Sequence, residues 1–103
     1  MKNYFGTDGI RFIYQQETKN LIKKIGYALN SCKAKTIIFG HDTRNSSQEI
    51  VSLMANELQK KNIKYVGICS TPCIGFLSQK HNCLGVMITA SHNPSEFNGI
   101  KFF

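Results

Sequence analysis

The chain has no tryptophan, only two prolines, two aspartates and two arginines, and no long apolar run in its 103 residues. The longest apolar stretch, Leu84 to Ile88, falls far short of the roughly 20 residues a membrane-spanning helix needs. Met1-Lys2-Asn3-Tyr4 is followed by no apolar segment, so no secretory signal is expected, and a cytoplasmic location is. The low proline content and the absence of a glycine repeat exclude collagen-like and Pro-rich chains. With 42% hydrophobic and 18% charged residues, the chain is a folded globular one of single-domain size. Its four cysteines (Cys32, Cys69, Cys73, Cys83) form no C-x-x-C pair, which argues against a zinc site. Free thiols buried in apolar surroundings in a reducing compartment are expected.

The charge is one-sided: thirteen Lys and Arg against six Asp and Glu, a net +7. A nucleic-acid binder would show clustered cations with interleaved aromatics. Here eleven of the thirteen are lysines, scattered with no run longer than two. That pattern is a solvated surface, with no specific nucleic-acid or membrane partner expected. A non-catalytic basic domain that holds anions is the competing reading.

Short β runs alternate with helical patterns. Lys35 to Gly40, Lys64 to Cys69 and Leu84 to Ala90 read as short buried strands. Thr18 to Cys32 sets Leu21, Ile22, Ile25 and Leu29 on one helical face. A second helix is expected to open with the capping-box spacing Ser46 to Glu49, and a third with Thr71 as N-cap and Pro72 in its first turn. Strand–helix alternation predicts an α/β fold, a three-layer α/β/α domain with a mostly parallel sheet. Asn98-Gly99 reads as a turn that brings Ile100 to Phe103 back as an antiparallel last strand. Ligands of such sheets sit at the carboxyl ends of the strands. Three segments fall there: Gly40 to Ser47, Ser70 to Pro72, and Thr89 to Pro94.

Two of these, with the opening glycine motif, carry residues suited to phosphate chemistry. Phe5-Gly6-Thr7-Asp8-Gly9-Ile10-Arg11 sets two glycines ahead of an arginine, whose planar fork suits phosphate. Gly40-His41-Asp42-Thr43-Arg44-Asn45-Ser46-Ser47 joins a strand end to a helix N-terminus, which favours anions. Both arginines lie in these two segments, although Asp42 and Arg44 are also able simply to brace their loop. In Thr89-Ala90-Ser91-His92-Asn93-Pro94, small neighbours leave the Ser91 hydroxyl accessible. A hairpin closing near residue 96 would set Lys101 opposite Ser91, where a cation offsets the charge of a transferred phosphoryl group. A serine hydrolase is disfavoured, because Gly-x-Ser-x-Gly is absent and His92 points away from its neighbour Ser91 on an extended chain.

Together, Phe5 to Arg11, Gly40-x-Asp42-Thr43-Arg44, and Thr89 to Pro94 followed by Asn98-Gly99-Ile100-Lys101-Phe102-Phe103 resemble the α-D-phosphohexomutases. The opening Phe-Gly-Thr-Asp-Gly and closing Gly-Ile-Lys-Phe-Phe point to the glucosamine branch over the phosphomannomutase/phosphoglucomutase branch. The resemblance implies an isomerase acting by intramolecular phosphoryl transfer on a hexose or hexosamine phosphate, through a phosphoserine and a 1,6-bisphosphate. It implies Ser91 as the phosphoryl carrier, Lys101 and His92 as its catalytic companions, and Arg11, Thr7 and Asn93 as phosphate-binding residues. Arg44 would stand in support, and Mg²⁺ would bind an oxygen of phospho-Ser91. Two positions depart from the family pattern: Phe12 stands where Gly is usual, and His41, expected at the surface, stands where Arg is common. The resemblance covers residues 1–103 as part of the first of four domains. Asp8 and Asp42 are the only aspartates, so the chain lacks the family's Mg²⁺-binding acidic triad, and alone it is expected to be inactive.

Overall fold

The computed structural model describes residues 5–6, 9–90 and 96–103. In chain order the elements are β1 (Phe5–Gly6), β2 (Gly9–Ile13), α1 (Gln16–Ala28), β3 (Thr36–His41), α2 (Asn45–Ala55), β4 (Asn62–Ile68), α3 (Thr71–His81), β5 (Leu84–Ile88) and β6 (Phe97–Phe102). They form one sheet in the order β1-β2-β6-β5-β3-β4. β3 pairs in parallel with both β4 and β5, as the strand–helix alternation requires. β6 returns antiparallel between β5 and β2, and β1 closes that edge antiparallel to β2. The sheet is therefore mixed. The opening glycine motif supplies two strands to it, where its composition reads as a loop.

The side-chain alternation of β3 explains its continuous apolar run. Ile37 and Phe39 join a core with Ile22 of α1 and Ile50, Val51 and Met54 of α2. Ile38 turns to the other face and packs with Met87 and with Ile74 of α3. Helices cover both faces, so consecutive strand residues are all buried. This is the α/β/α arrangement that the sequence predicts.

The expectation of a buried strand at Lys64 to Cys69 is corrected. β4 is an edge strand, and Ile63, Tyr65, Val66 and Ile68 are all largely exposed. Its pairing with β3 steps over Val66, with Tyr65 opposite Phe39 and Gly67 opposite Gly40, and Gly67 takes a positive φ of 90°. Such a bulge twists an open edge away from further strand pairing.

The helix starts also differ, by one residue in α3 and by two in α2. Ser70, not Thr71, caps α3 and accepts the Cys73 N–H. α2 begins at Asn45, so Ser46 is not its cap, and Glu49 meets Tyr14 and Lys19 instead of turning back to Ser46. Lys61 shows one use of the abundant lysines: its Nζ donates to the carbonyls of Cys32 and Ala34, just past the end of α1. Among the described residues no helix is long and apolar enough to cross a membrane.

A candidate site at the carboxyl ends of the parallel strands

Because β3, β4 and β5 run parallel, the segments that follow them emerge at one end of the sheet. The loop after β3 leads into α2, and the segment after β5 leads through Thr89 and Ala90 toward Ser91. β6 brings the chain back at Phe97. A cleft of about 410 Å³ opens here, lined by Tyr14, Thr43, Arg44, Asn45, Ser46 and Glu96.

Asp42 is the hub of this end. One of its carboxylate oxygens accepts the Arg44 backbone N–H at 3.0 Å and the Ser47 hydroxyl at 2.5 Å. The other accepts Arg44 Nε at 3.2 Å. Arg44 Nη1 reaches on to the Phe97 carbonyl at 3.3 Å, so one guanidinium ties the β3–α2 loop to the start of β6. Burial pushes the Asp42 carboxyl up. Hydrogen bonds from Ser47, the Arg44 backbone and Thr89, with the Arg44 charge, outweigh that and hold it below the ordinary carboxylate range.

A folded-state pKa below the unfolded one means that the ionised carboxylate stabilises the fold at neutral pH. That contribution is lost as pH falls below about 4. Thermal melts from about pH 7 to about pH 3 should show this loss in the wild type. Asp42→Asn should be about 1–2 kcal/mol less stable at neutral pH and show a shallower acid decline. Parallel acid profiles for the two proteins would remove Asp42 from this role.

Arg11 and Lys101 come onto one face of the β2–β6 ladder. Ile10, Phe12 and Ile100 turn into the α1/α2 core, so the alternating residues Arg11 and Lys101 face the opposite side. The β5–β6 register sets Lys101 opposite Met87 and Ile100 opposite Ile88, which differs from the register of a hairpin centred on residue 96. Ser91, His92, Asn93 and Thr7 lie outside the described residues. Of the other expected site residues, Arg44 is part of the Asp42 network.

The two departures from the family pattern are both buried. Phe12 is in the main core. His41, read as a surface change, is only 5% exposed. Its ring bonds the Asp42 carbonyl through Nδ1 and the Tyr65 hydroxyl through Nε2, and stacks on the Tyr65 ring. The carbonyl is purely an acceptor, so Nδ1 carries the proton and Nε2 accepts from Tyr65.

Asn98, Ser47 and Thr89 lie inside the motifs that the sequence singles out but are given no role there, and all are buried at this end. Asn98-Gly99, read as a turn, lies inside β6. The period-2 spacing of Asn98 with the buried Ile100 is the one cue that it points inward.

All four cysteines are free, but they are half-buried where full burial is expected. The Cys69 thiol is pushed up by burial and by neighbouring Cys73. Among the described residues no three His, Cys, Asp or Glu side chains converge on one point. With Asp42 already committed to Arg44 and Ser47, these residues do not fit a Mg²⁺ site of their own.

Comparison with known proteins agrees with this architecture. Phosphoglucosamine mutases from Prochlorococcus marinus strain AS9601 and from Dictyoglomus turgidum are 45% and 41% identical to the chain over its whole length. The chain spans about a quarter of each of those proteins, 24% and 25% respectively. A crystal structure of a phosphoglucomutase/phosphomannomutase family protein from Burkholderia thailandensis superposes with a TM-score of 0.76 at 24% identity, covering 90% of this chain and 24% of that one. The family model for phosphoglucomutase/phosphomannomutase, alpha/beta/alpha domain I, matches residues 2–103. The chain belongs to the phosphoglucomutase/phosphomannomutase family, and what it carries is the fold of that family's first domain.

Proposed function

We propose that this chain supplies the phosphoryl-carrying serine of a phosphoglucosamine mutase. The observation that carries the reading is the whole-length likeness to curated phosphoglucosamine mutases, on a fold that returns Arg11 and Lys101 to one face of the sheet.

In this reading phospho-Ser91 gives its phosphoryl group to the 1-hydroxyl of glucosamine 6-phosphate. The Ser91 hydroxyl is regained and a 1,6-bisphosphate forms. After the sugar reorients, the Ser91 oxygen takes the 6-phosphoryl group, and glucosamine 1-phosphate leaves. Lys101 offsets the charge on the transferred group, and Arg11 holds the phosphoserine. His92 handles the proton, while Thr7 and Asn93 contact phosphate. Mg²⁺ needs several hard oxygen ligands and the sequence holds only two aspartates, so these 103 residues are proposed not to turn over alone. The setting is the cytoplasm.

The test is intact-mass analysis of a version extended to the length of the relatives, after incubation with a hexose 1,6-bisphosphate. One phosphoryl group is expected on the wild type, mapped to Ser91 by peptide sequencing, and none on Ser91→Ala. An adduct that persists in Ser91→Ala, or no adduct on the wild type, overturns the phosphoserine. Mutase activity should appear only in a version extended to the length of the relatives.

A further inference from the structure

The segment that carries Ser91 leaves the sheet after Ala90 and returns at Glu96. Around its two ends runs a buried polar chain with a single direction. Asn98 is fully buried and uses both of its amide protons, one on Ser46 Oγ at 2.8 Å and one on Ser47 Oγ at 2.9 Å. Its Oδ1 accepts the Gly99 N–H at 2.9 Å. With Asn98 donating to it, the Ser47 hydroxyl turns its own proton to Asp42. Asp42 also accepts from Thr89, at the exit of β5, and its partner Arg44 holds the Phe97 carbonyl at the entry of β6. Backbone bonds pin the same two ends: Thr89 N–H to the Gly99 carbonyl, and Tyr14 N–H to the Glu96 carbonyl. Among the described residues no buried side-chain polar atom is left without a partner.

We propose that Asn98 is a positioning residue that, through Ser47 and Asp42, fixes the exit and re-entry of the Ser91 segment against the start of α2. The order of donors makes the assignment specific. An isosteric aspartate at 98 has the same shape but no amide protons, so it faces the Ser46 and Ser47 oxygens with lone pairs. The chain of bonds then loses its direction at the first link. The consequence for phosphoryl transfer rests on the reading of Ser91 given above. The positioning itself does not.

Asn98→Asp, Ser47→Ala and the double variant should be compared with the wild type by backbone amide hydrogen exchange. Exchange at residues 89, 90, 96 and 97 is expected to rise about tenfold in Asn98→Asp, with the amides of Ile37 to Phe39 unchanged. In the double variant the rise should be less than the product of the single effects, because both act on one chain of bonds. Equal rises throughout the sheet, or multiplicative single effects, would overturn the proposal. Should Asn98→Asp fail to fold, Ser46→Ala removes one acceptor at a half-buried position and is expected to give a rise of about threefold in the same amides; no local rise there overturns the proposal too. In a second arm, run on a version extended to the length of the relatives, Ser91 phosphorylation by a hexose 1,6-bisphosphate should slow about tenfold in Asn98→Asp. If the wild type takes up no phosphoryl group, the phosphoserine reading fails, and the exchange arm still decides the role of Asn98.

Discussion

Gly99→Val is expected to abolish cooperative folding. β6 lies between β2 and β5, and at Gly99 the three backbones come closest. A Cβ there would stand 2.8 Å from the Ile10 carbonyl oxygen and 2.9 Å from that of Thr89. Both are backbone atoms, one on each side, and neither can move aside as a flexible side chain would. Alanine alone should cost about 2–3 kcal/mol, and valine about 4 or more, against a total stability of about 5–15 kcal/mol. Urea titration should show a lower midpoint at an unchanged slope for Gly99→Ala, and no cooperative transition for Gly99→Val. A wild-type midpoint for the valine variant would contradict the close approach of the three strands. The crowding has a functional corollary. Gly99 pairs with Arg11, so no side chain on β6 stands across from that guanidinium. Gly9, with φ of 128°, lies against the Lys101 backbone and is equally unable to accept a Cβ, which would fall 2.2 Å from the Ile100 carbonyl. Both glycines serve strand packing, Gly99 where Asn98-Gly99 reads as a turn and Gly9 where the opening motif reads as a loop suited to an anion.

That difference shows what a single sequence can and cannot reveal here. Periodicity locates β3, β5 and all three helices, because each buries a regular pattern of apolar residues. It cannot place β4 at an edge, since Asn62 to Ile68 is as apolar and β-branched as a covered strand, and only the sheet order leaves it bare. Asn98-Gly99 suits a two-residue turn locally, but long-range pairing with Arg11 and Phe12 draws both residues into β6. With both residues inside the strand, Lys101 becomes the register partner of Met87. His41 follows the same logic. Histidine has no strong burial preference, so nothing local predicts that Tyr65, 24 positions away, would cover it. The arginines were legible, since both stood apart from the lysine surface. The buried asparagine and serine that organise the strand ends were not, because their roles exist only once the sheet has formed.

The contrast between β3 and β4 carries the last expected result. Phe39 and Tyr65 are register partners on adjacent strands. Phe39 is fully buried in the core beneath α1 and α2, whereas Tyr65 is 52% exposed. Phe39→Ala deletes a fully buried aromatic ring from the core cluster that also holds Ile37, Ile50 and Met54. It should cost about 3–5 kcal/mol, a large share of the stability of a domain this size. Ile63→Ala, a comparable truncation on β4, should cost about 1 kcal/mol or less, because water already covers much of that side chain. Urea midpoints of the two variants measure the difference directly. Since the strand that holds Phe39 ends in His41, next to Asp42, the larger loss should reach the candidate site. Amides of residues 41–47 should then exchange at the rate of global unfolding in Phe39→Ala, and stay protected in Ile63→Ala. Equal midpoints for the two variants would mean that β4 is covered in solution, and its edge position in the sheet would have to be abandoned.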